Sequence, residues 1–198
     1  MKKDLTDATS SLSFTSLGAA DFRPQSPHHL WTGVVLHHTG IGSYPFIDDD
    51  DLWRRLYKNI GRWLARKDDV YVSSHFIIGR QGEISRLVNP KLAVAFHAGR
   101  SSFWDAARRR WRTGCNDFMI GVELVGDGNK QTFSDEQYLA TARLTNWLMG
   151  EFPSIEPNCI VGHEAVSPGR KVDPGRLFEW KKFYWLLAYY GGFGNEEN

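Results

Sequence analysis

Two histidines of this 198-residue chain, His37 and His163, each close a short apolar run. Val34-Val35-Leu36 precedes the first and Cys159-Ile160-Val161-Gly162 the second. Beyond His163 comes Asp173, reached through Ser167-Pro168-Gly169-Arg170-Lys171-Val172-Asp173-Pro174-Gly175. The two Pro-Gly pairs force tight turns, so Lys171 and Asp173 lie on a loop able to fold back towards His163. Two imidazoles and one carboxylate fill three positions of a tetrahedral zinc and leave the fourth open, as in catalytic rather than structural sites. Glu123, in Ile120-Gly121-Val122-Glu123-Leu124, falls on a predicted buried strand, where an unpaired carboxylate is costly. It has a partner or it faces a cavity. Each residue also has a plainer reading: a strand-end histidine satisfied inside a core, Lys171 and Asp173 in a solvated turn, Glu123 as an edge-strand charge.

The elements that would position these groups follow from periodicity. Residues 33–38 read as a buried strand and 118–125 as another, dense in β-branched and aromatic side chains. Residues 70–79 and 83–88, joined by a Gln81-Gly82 turn, form a hairpin-like pair, and 94–97 and 158–161 are further strands. Leu52, Leu56, Ile60, Trp63 and Leu64 give 48–67 helical spacing behind an acidic first turn. Ser134 and Gln137 form a capping box, opening a helix that carries Tyr138, Ala142, Thr145, Met149 and Phe152 and stops before Pro153. A last amphipathic helix covers 176–190 and ends at Gly191 and Gly192. Strands interspersed with helices predict an α/β fold: one domain, a mixed central sheet flanked by helices, and a cleft at the strand ends. Residues 1–20 lack any apolar period and read as a mobile tail, 21–190 as the domain, and 191–198 as a frayed end.

Twenty-four Lys and Arg against twenty-three Asp and Glu leave a net charge of +1, which argues against a nucleic-acid partner. With 41% hydrophobic residues, 14% aromatics and eight Trp, the chain is far too apolar for disorder. Cys115 and Cys159 are too few for a disulfide scaffold. The polar start lacks a secretory apolar region, and no window approaches the ~18 apolar residues of a membrane span. A cytoplasmic monomer without membrane insertion is the expectation.

Several blocks then recur in a familiar order: Val35-Leu36-His37-His38-Thr39, Ser73-Ser74-His75-Phe76, Ala95-Phe96-His97-Ala98-Gly99, Cys115 through Glu123, and Gly162 through Gly175. Together they resemble the zinc-dependent N-acetylmuramoyl-L-alanine amidases, which include AmpD-type recycling amidases, phage amidase endolysins and animal peptidoglycan recognition proteins. The resemblance covers roughly residues 30 to 185 and is closest to the AmpD type. It implies a zinc cofactor and a muropeptide or peptidoglycan substrate. His37, His163 and Asp173 match the zinc ligands, and strand alternation turns His38 the other way. Glu123 matches the carboxylate that activates water, and Lys171 the cation facing the developing oxyanion.

Two departures stand out. Position 114 is Gly, where AmpD-type enzymes usually carry an Arg for a stem-peptide carboxylate, and Arg112 is the candidate substitute. Position 74 is Ser, where recognition proteins often carry a catalytic Tyr that the recycling branch lacks. The segment 100–112 holds five arginines against Asp105. It reads as a solvated loop or short helix, or as a rim on which arginines grip carboxylates while Trp104 or Trp111 stacks on sugar. His97 reads as a residue that backs a metal ligand or lines the substrate site, and His75 is a further substrate-binding candidate. Three functions follow: an amidase of cell-wall recycling, a lytic amidase acting on polymeric peptidoglycan after release from the cell, and a non-catalytic peptidoglycan-binding module.

Overall fold

The computed structural model describes residues 12, 15–16, 22–26, 29–40 and 73–191. The predicted helix at 48–67 lies outside them. In chain order the strands are β1 (Thr15–Ser16), β2 (Phe22–Pro24), β3 (Gly33–His38), β4 (Phe76–Ile78), β5 (Ile84–Arg86), β6 (Ala93–Ala95), β7 (Ser102–Asp105), β8 (Arg110–Thr113), β9 (Met119–Leu124) and β10 (Ile160–Gly162). Among the described residues three α-helices join them: α1 (Asp135–Glu151), α2 (His163–Val166) and α3 (Trp180–Gly191).

The main sheet has the order β1-β5-β4-β9-β3-β10. The adjacent strands β4, β9, β3 and β10, the last at the sheet edge, are all parallel, while β5 returns antiparallel to β4. Parallel strands covered on both faces need apolar residues on both, which is why β3 and β9 are continuous hydrophobic runs rather than alternating ones. Residues 15–16, within the stretch read from sequence as a tail, pair with β5. β6 leaves the main sheet and pairs with β2.

One face of the sheet, with Val34, Leu36, Phe76, Ile78, Ile120, Val122 and Leu124, packs against Tyr138, Leu144 and Leu148 of α1 and Phe183 and Leu187 of α3. The capping box forms as expected: the Ser134 hydroxyl accepts from the Gln137 amide at 3.1 Å, and the Gln137 side chain accepts from the Ser134 amide at 3.2 Å. Helix α3 begins at Trp180, later than the predicted 176. Residues Pro174 to Phe178 are held by turns, and the Tyr138 hydroxyl accepts the Glu179 amide at 2.7 Å.

The other face carries Val35, Met119, Cys115, Phe118, Ala98 and Val166 as a second, smaller core. Two departures from the sequence reading fall here. The segment 100–112 is neither loop nor helix, since most of it forms the β7–β8 hairpin. A one-turn helix, α2, starts at His163 itself, so this histidine closes a strand and opens a helix at once.

Gly121 on β9 makes room for the site. A Cβ there would lie 2.4 Å from Cγ of His97, whose ring occupies the space over the sheet. Substituting Gly121→Ala is therefore expected to cost about 1–3 kcal/mol through overpacking, read as a lower urea midpoint with an unchanged m-value.

Candidate metal centre

Residue for residue, β3 sets His37 beside Glu123 of β9, and Leu36 beside Gly162 of β10. Partners in register on parallel strands share a face, so His37 and Glu123 project together. His163, one step beyond Gly162, arrives next to His37. The third group, Asp173, comes on the loop after α2. Its Nδ1-facing oxygen completes a compact triangle: His37 Nδ1 lies 2.9 Å from His163 Nδ1 and 3.0 Å from Asp173 Oδ2, and His163 Nδ1 is 2.9 Å from that same oxygen. All three side chains are buried.

The outer nitrogens of the rings decide what the inner ones can be. His97 Nε2 lies 2.9 Å from the Met119 carbonyl oxygen, which can only accept, so His97 carries its proton there. Its Nδ1 is then an acceptor, and His37 Nε2, 3.0 Å away, is the donor to it. His163 Nε2 likewise donates to the Ala98 carbonyl at 3.2 Å. Burial, opposed by the neighbouring Asp173 carboxylate, lowers the His37 pKa to about 4, so the ring is neutral near pH 7.

A neutral imidazole has one proton, so in the tautomers that these outer contacts select each inner Nδ1 is a lone pair facing a carboxylate. Asp173 is ionised near pH 7, as an aspartate ordinarily is, and adds a third acceptor. Three acceptors this close repel one another unless a cation sits among them. The donor set, two imidazoles held from behind by hydrogen bonds plus one carboxylate, fits a divalent zinc with a position left for substrate or water.

The Asp173 loop is fixed by a second set of contacts. His38 points away from the triad, and its Nδ1 accepts the Gly128 amide at 3.0 Å. The Gly128 carbonyl in turn accepts the Leu177 amide at 2.8 Å. A Cβ on Gly128 would stand 1.9 Å from the Pro174 carbonyl oxygen, so only glycine allows the two loops this close approach. The Asp173 carbonyl accepts the Glu164 amide at 3.0 Å, tying the loop to α2.

Glu123 is buried, and its Oε2 has no hydrogen-bond partner among the described residues. Burial first, then the charge of Asp173, raise its pKa to about 8, with the Lys171 ammonium opposing. Lys171 is half-buried, and its charge acts on both His37 and Glu123.

The remaining candidates fall elsewhere. His75 and His97 are buried at 0% and 7% exposure, so His97 stands behind His37 rather than lining the substrate side, and His75 lines no surface. The His75 Nδ1 accepts the Gly121 amide at 3.0 Å, which places this ring behind the site. Arg112 is turned inward: its Nη1 donates to Thr32 Oγ1 at 3.1 Å and Asp105 Oδ2 at 3.3 Å, and its guanidinium lies 3.6 Å over the Phe118 ring. Trp104 and Trp111 are exposed on the β7–β8 hairpin. Sequence reasoning gave no role to Asn116 and Arg170. Asn116 Oδ1 accepts the amides of His97 and Ala98 at 3.0 and 2.7 Å, and Arg170 Nη2 donates to the Ala98 carbonyl at 2.6 Å. Both lie inside the recurring blocks, which was the available signal.

Residues 27–176 match the family described as N-acetylmuramoyl-L-alanine amidase, and the chain belongs to that family. It is similar to the 1,6-anhydro-N-acetylmuramyl-L-alanine amidase AmpD of Haemophilus influenzae, 41% identical over 153 residues, spanning 76% of this chain and 79% of the relative. An AmpD crystal structure superposes with a TM-score of 0.66 at 30% identity, covering 88% of this chain and 94% of the other. Escherichia coli AmiD, solved with anhydro-N-acetylmuramic acid-L-Ala-D-gamma-Glu-L-Lys, gives 0.60 at 25% identity, over 83% of this chain and 61% of AmiD.

Two outcomes follow from the donor arrangement. Asp173→Ala removes one of three donors and the negative charge, so tight zinc binding should disappear in a chelator-competition titration while the far-UV spectrum stays native. In the metal-free protein, the pKa values of His37 and His75 are about 4 and about 3, lowered first by burial, and that of His97 also lies well below its ordinary value. These rings stay neutral in the fold but take up protons near pH 6.5 when unfolded. Glu123, raised to about 8, acts in the opposite sense and offsets one proton. Stability is therefore expected to fall as pH drops from about 6.5 towards 4, by up to about 3 kcal/mol per unit. Urea titrations across that window read the slope.

Proposed function

We propose that this chain hydrolyses the amide between the lactyl group of N-acetylmuramic or 1,6-anhydro-N-acetylmuramic acid and L-alanine of the stem peptide, acting on muropeptides released in cell-wall turnover. The observation that carries the reading is the convergence of His37, His163 and Asp173 beside Glu123, a buried carboxyl group in register with the first of them. A zinc ion held by those three donors would supply Lewis acidity, acidifying a water and polarising the amide carbonyl.

The chain's own residues divide the remaining work. Glu123 offers an unpartnered buried oxygen; a dication held by the adjacent donors would favour its ionised form, which takes the proton released as water attacks and passes it to the leaving amine of L-alanine. Lys171 stabilises negative charge that develops on the former carbonyl oxygen. The products are a free muramic carboxylate and a peptide amine. His97 holds the His37 ring from behind and is a positioning residue rather than a lining one. Among the described residues no helix is long and apolar enough to cross a membrane. A monomer working on free fragments in the cytoplasm, as an AmpD-type recycling enzyme does, is the setting that suits this reading. The ligand set is intact, which favours catalysis over a binding module that has lost its metal.

Turnover of a purified anhydromuramyl-tripeptide, followed as free tripeptide, tests the reaction. Lys171→Ala should keep bound zinc yet lose roughly 100-fold or more in kcat; full kcat in that variant removes Lys171 from the mechanism. For Glu123→Ala, metal content should hold while the rate drops roughly 100- to 10,000-fold, and an unaffected rate would end its assignment as the proton carrier.

A further inference from the structure

Both imidazole donors lean on one short stretch of backbone, His97 and Ala98, just after β6. The His97 ring accepts from His37 Nε2 at 3.0 Å, and the Ala98 carbonyl accepts from His163 Nε2 at 3.2 Å. A shift of this stretch therefore reaches both rings. As far as Phe96 the chain is held by neighbouring segments: Ala95 pairs with Phe22 of β2, and the Phe96 amide donates to Ser73 Oγ at 2.8 Å. After Ala98 the chain turns at Gly99, with φ +56°. The two amides in between, those of His97 and Ala98, both end on a single atom, Asn116 Oδ1, at 3.0 and 2.7 Å. Two backbone donors facing one atom identify it as the oxygen of the side-chain amide. These amides flank the His97 α-carbon, so holding both fixes the direction in which the ring leaves the backbone.

The segment that carries Asn116 is itself anchored. Asn116 is the middle residue of a single helical turn, Cys115–Asp117, that leads into β9. The Gly114 amide donates to the Ser101 carbonyl at 2.9 Å and the Cys115 amide to Ser101 Oγ at 2.9 Å, which ties the turn to the chain just beyond Gly99. Cys115 is buried in the second core. Arg170 acts on the same stretch from another side. Its Nη2 donates to the Ala98 carbonyl at 2.6 Å and to Ser167 Oγ at 2.7 Å, so it bears on the oxygen behind His163 and leaves the His97 amide to Asn116.

We infer that Asn116 is a positioning residue that sets both histidine donors of the metal centre at once, through the backbone of His97 and Ala98. With its oxygen in place, the His97 ring stays against the Met119 carbonyl and selects the Nε2-protonated form of His37, while the Ala98 carbonyl selects the same form of His163. Without that oxygen two buried amides lose their acceptor, the stretch moves to find another, and both inner lone pairs lose their fixed direction. The inference rests on the zinc-amidase reading and deepens it by one side chain whose bonds go to the backbone behind the ligands.

The test reads histidine tautomers by NMR in the isotope-labelled, metal-free full chain near neutral pH, and zinc affinity by chelator competition. In the unaltered chain His37 and His163 should both carry their proton on Nε2. Asn116→Leu keeps the bulk and removes the acceptor, so both rings should become tautomer mixtures and zinc should bind roughly 10- to 100-fold more weakly. Asn116→Asp keeps an oxygen in place and should restore the Nε2 form in both rings. An added charge can tighten zinc unaided, so the tautomers rather than the affinity score that rescue. Arg170→Met loosens the Ala98 carbonyl and leaves the Asn116 contacts in place; it should disturb His163 and spare His37. Unchanged tautomers in Asn116→Leu, a change in one ring only, no rescue by Asn116→Asp, or equal disturbance of both rings by Arg170→Met would each overturn the proposal. Should Asn116→Leu fail to fold, hydrogen exchange in the unaltered chain decides: slow exchange is expected at the His97 and Ala98 amides, and exchange as fast as in an exposed turn overturns it. Turnover of anhydromuramyl-tripeptide is scored separately: a chain that holds zinc and both tautomers yet leaves the substrate uncut sinks the amidase reading and leaves the role of Asn116 standing.

Discussion

Three electron-pair donors held within 3.0 Å of one another are the constraint on which the rest of this protein depends. Such a cluster is repulsive by itself, and the surrounding structure is arranged to keep it so. The Met119 carbonyl sets the tautomer of His97, His97 sets that of His37, and the Ala98 carbonyl sets that of His163. Both chains of contacts end on a backbone oxygen that cannot change its role. Both imidazoles are therefore forced to present lone pairs to the centre, and binding a divalent cation removes the repulsion.

The sheet supplies the distances. Parallel pairing with β3 between β9 and β10 brings a carboxyl and two imidazoles to one edge without any long side chain having to reach. Asp173 is the exception, because it comes from a loop rather than a strand. Its placement depends on the contact of Gly128 with Pro174 and on the bond from the Gly128 amide to His38. Adjacent histidines thus serve two purposes: His37 faces the donors, and His38 anchors the loop that brings the third.

Much of this is legible in the order of residues. Val34 to Leu36 and Met119 to Val122 are apolar on both faces, which marks them as buried parallel strands, and the Ser134–Gln137 box marks the start of α1. The Pro-Gly pairs around Lys171 forbid a helix there. The hairpin at 102–113 was not legible, because Ala106, Ala107 and the arginines after them favour a helix by propensity. Tertiary packing overrides that preference: Phe103 and Arg112 on opposite strands both need the Phe118 side of the second core. Whether His97 backs a ligand or lines the substrate site is open in the sequence, because nothing local announces that Gly121, on a different strand, leaves a gap that takes the His97 ring.

The linear chain determined which groups were available and which strands and turns would carry them, since periodicity, capping and Pro-Gly geometry act over a few residues. Tertiary structure alone decided which nitrogen of each imidazole faces inward, that Arg112 is bound to Asp105 and Thr32, and that two tryptophans remain in water. Those outcomes depend on carbonyls, glycines and strand partners far away in sequence, and no local preference encodes a distance between residues 37, 163 and 173.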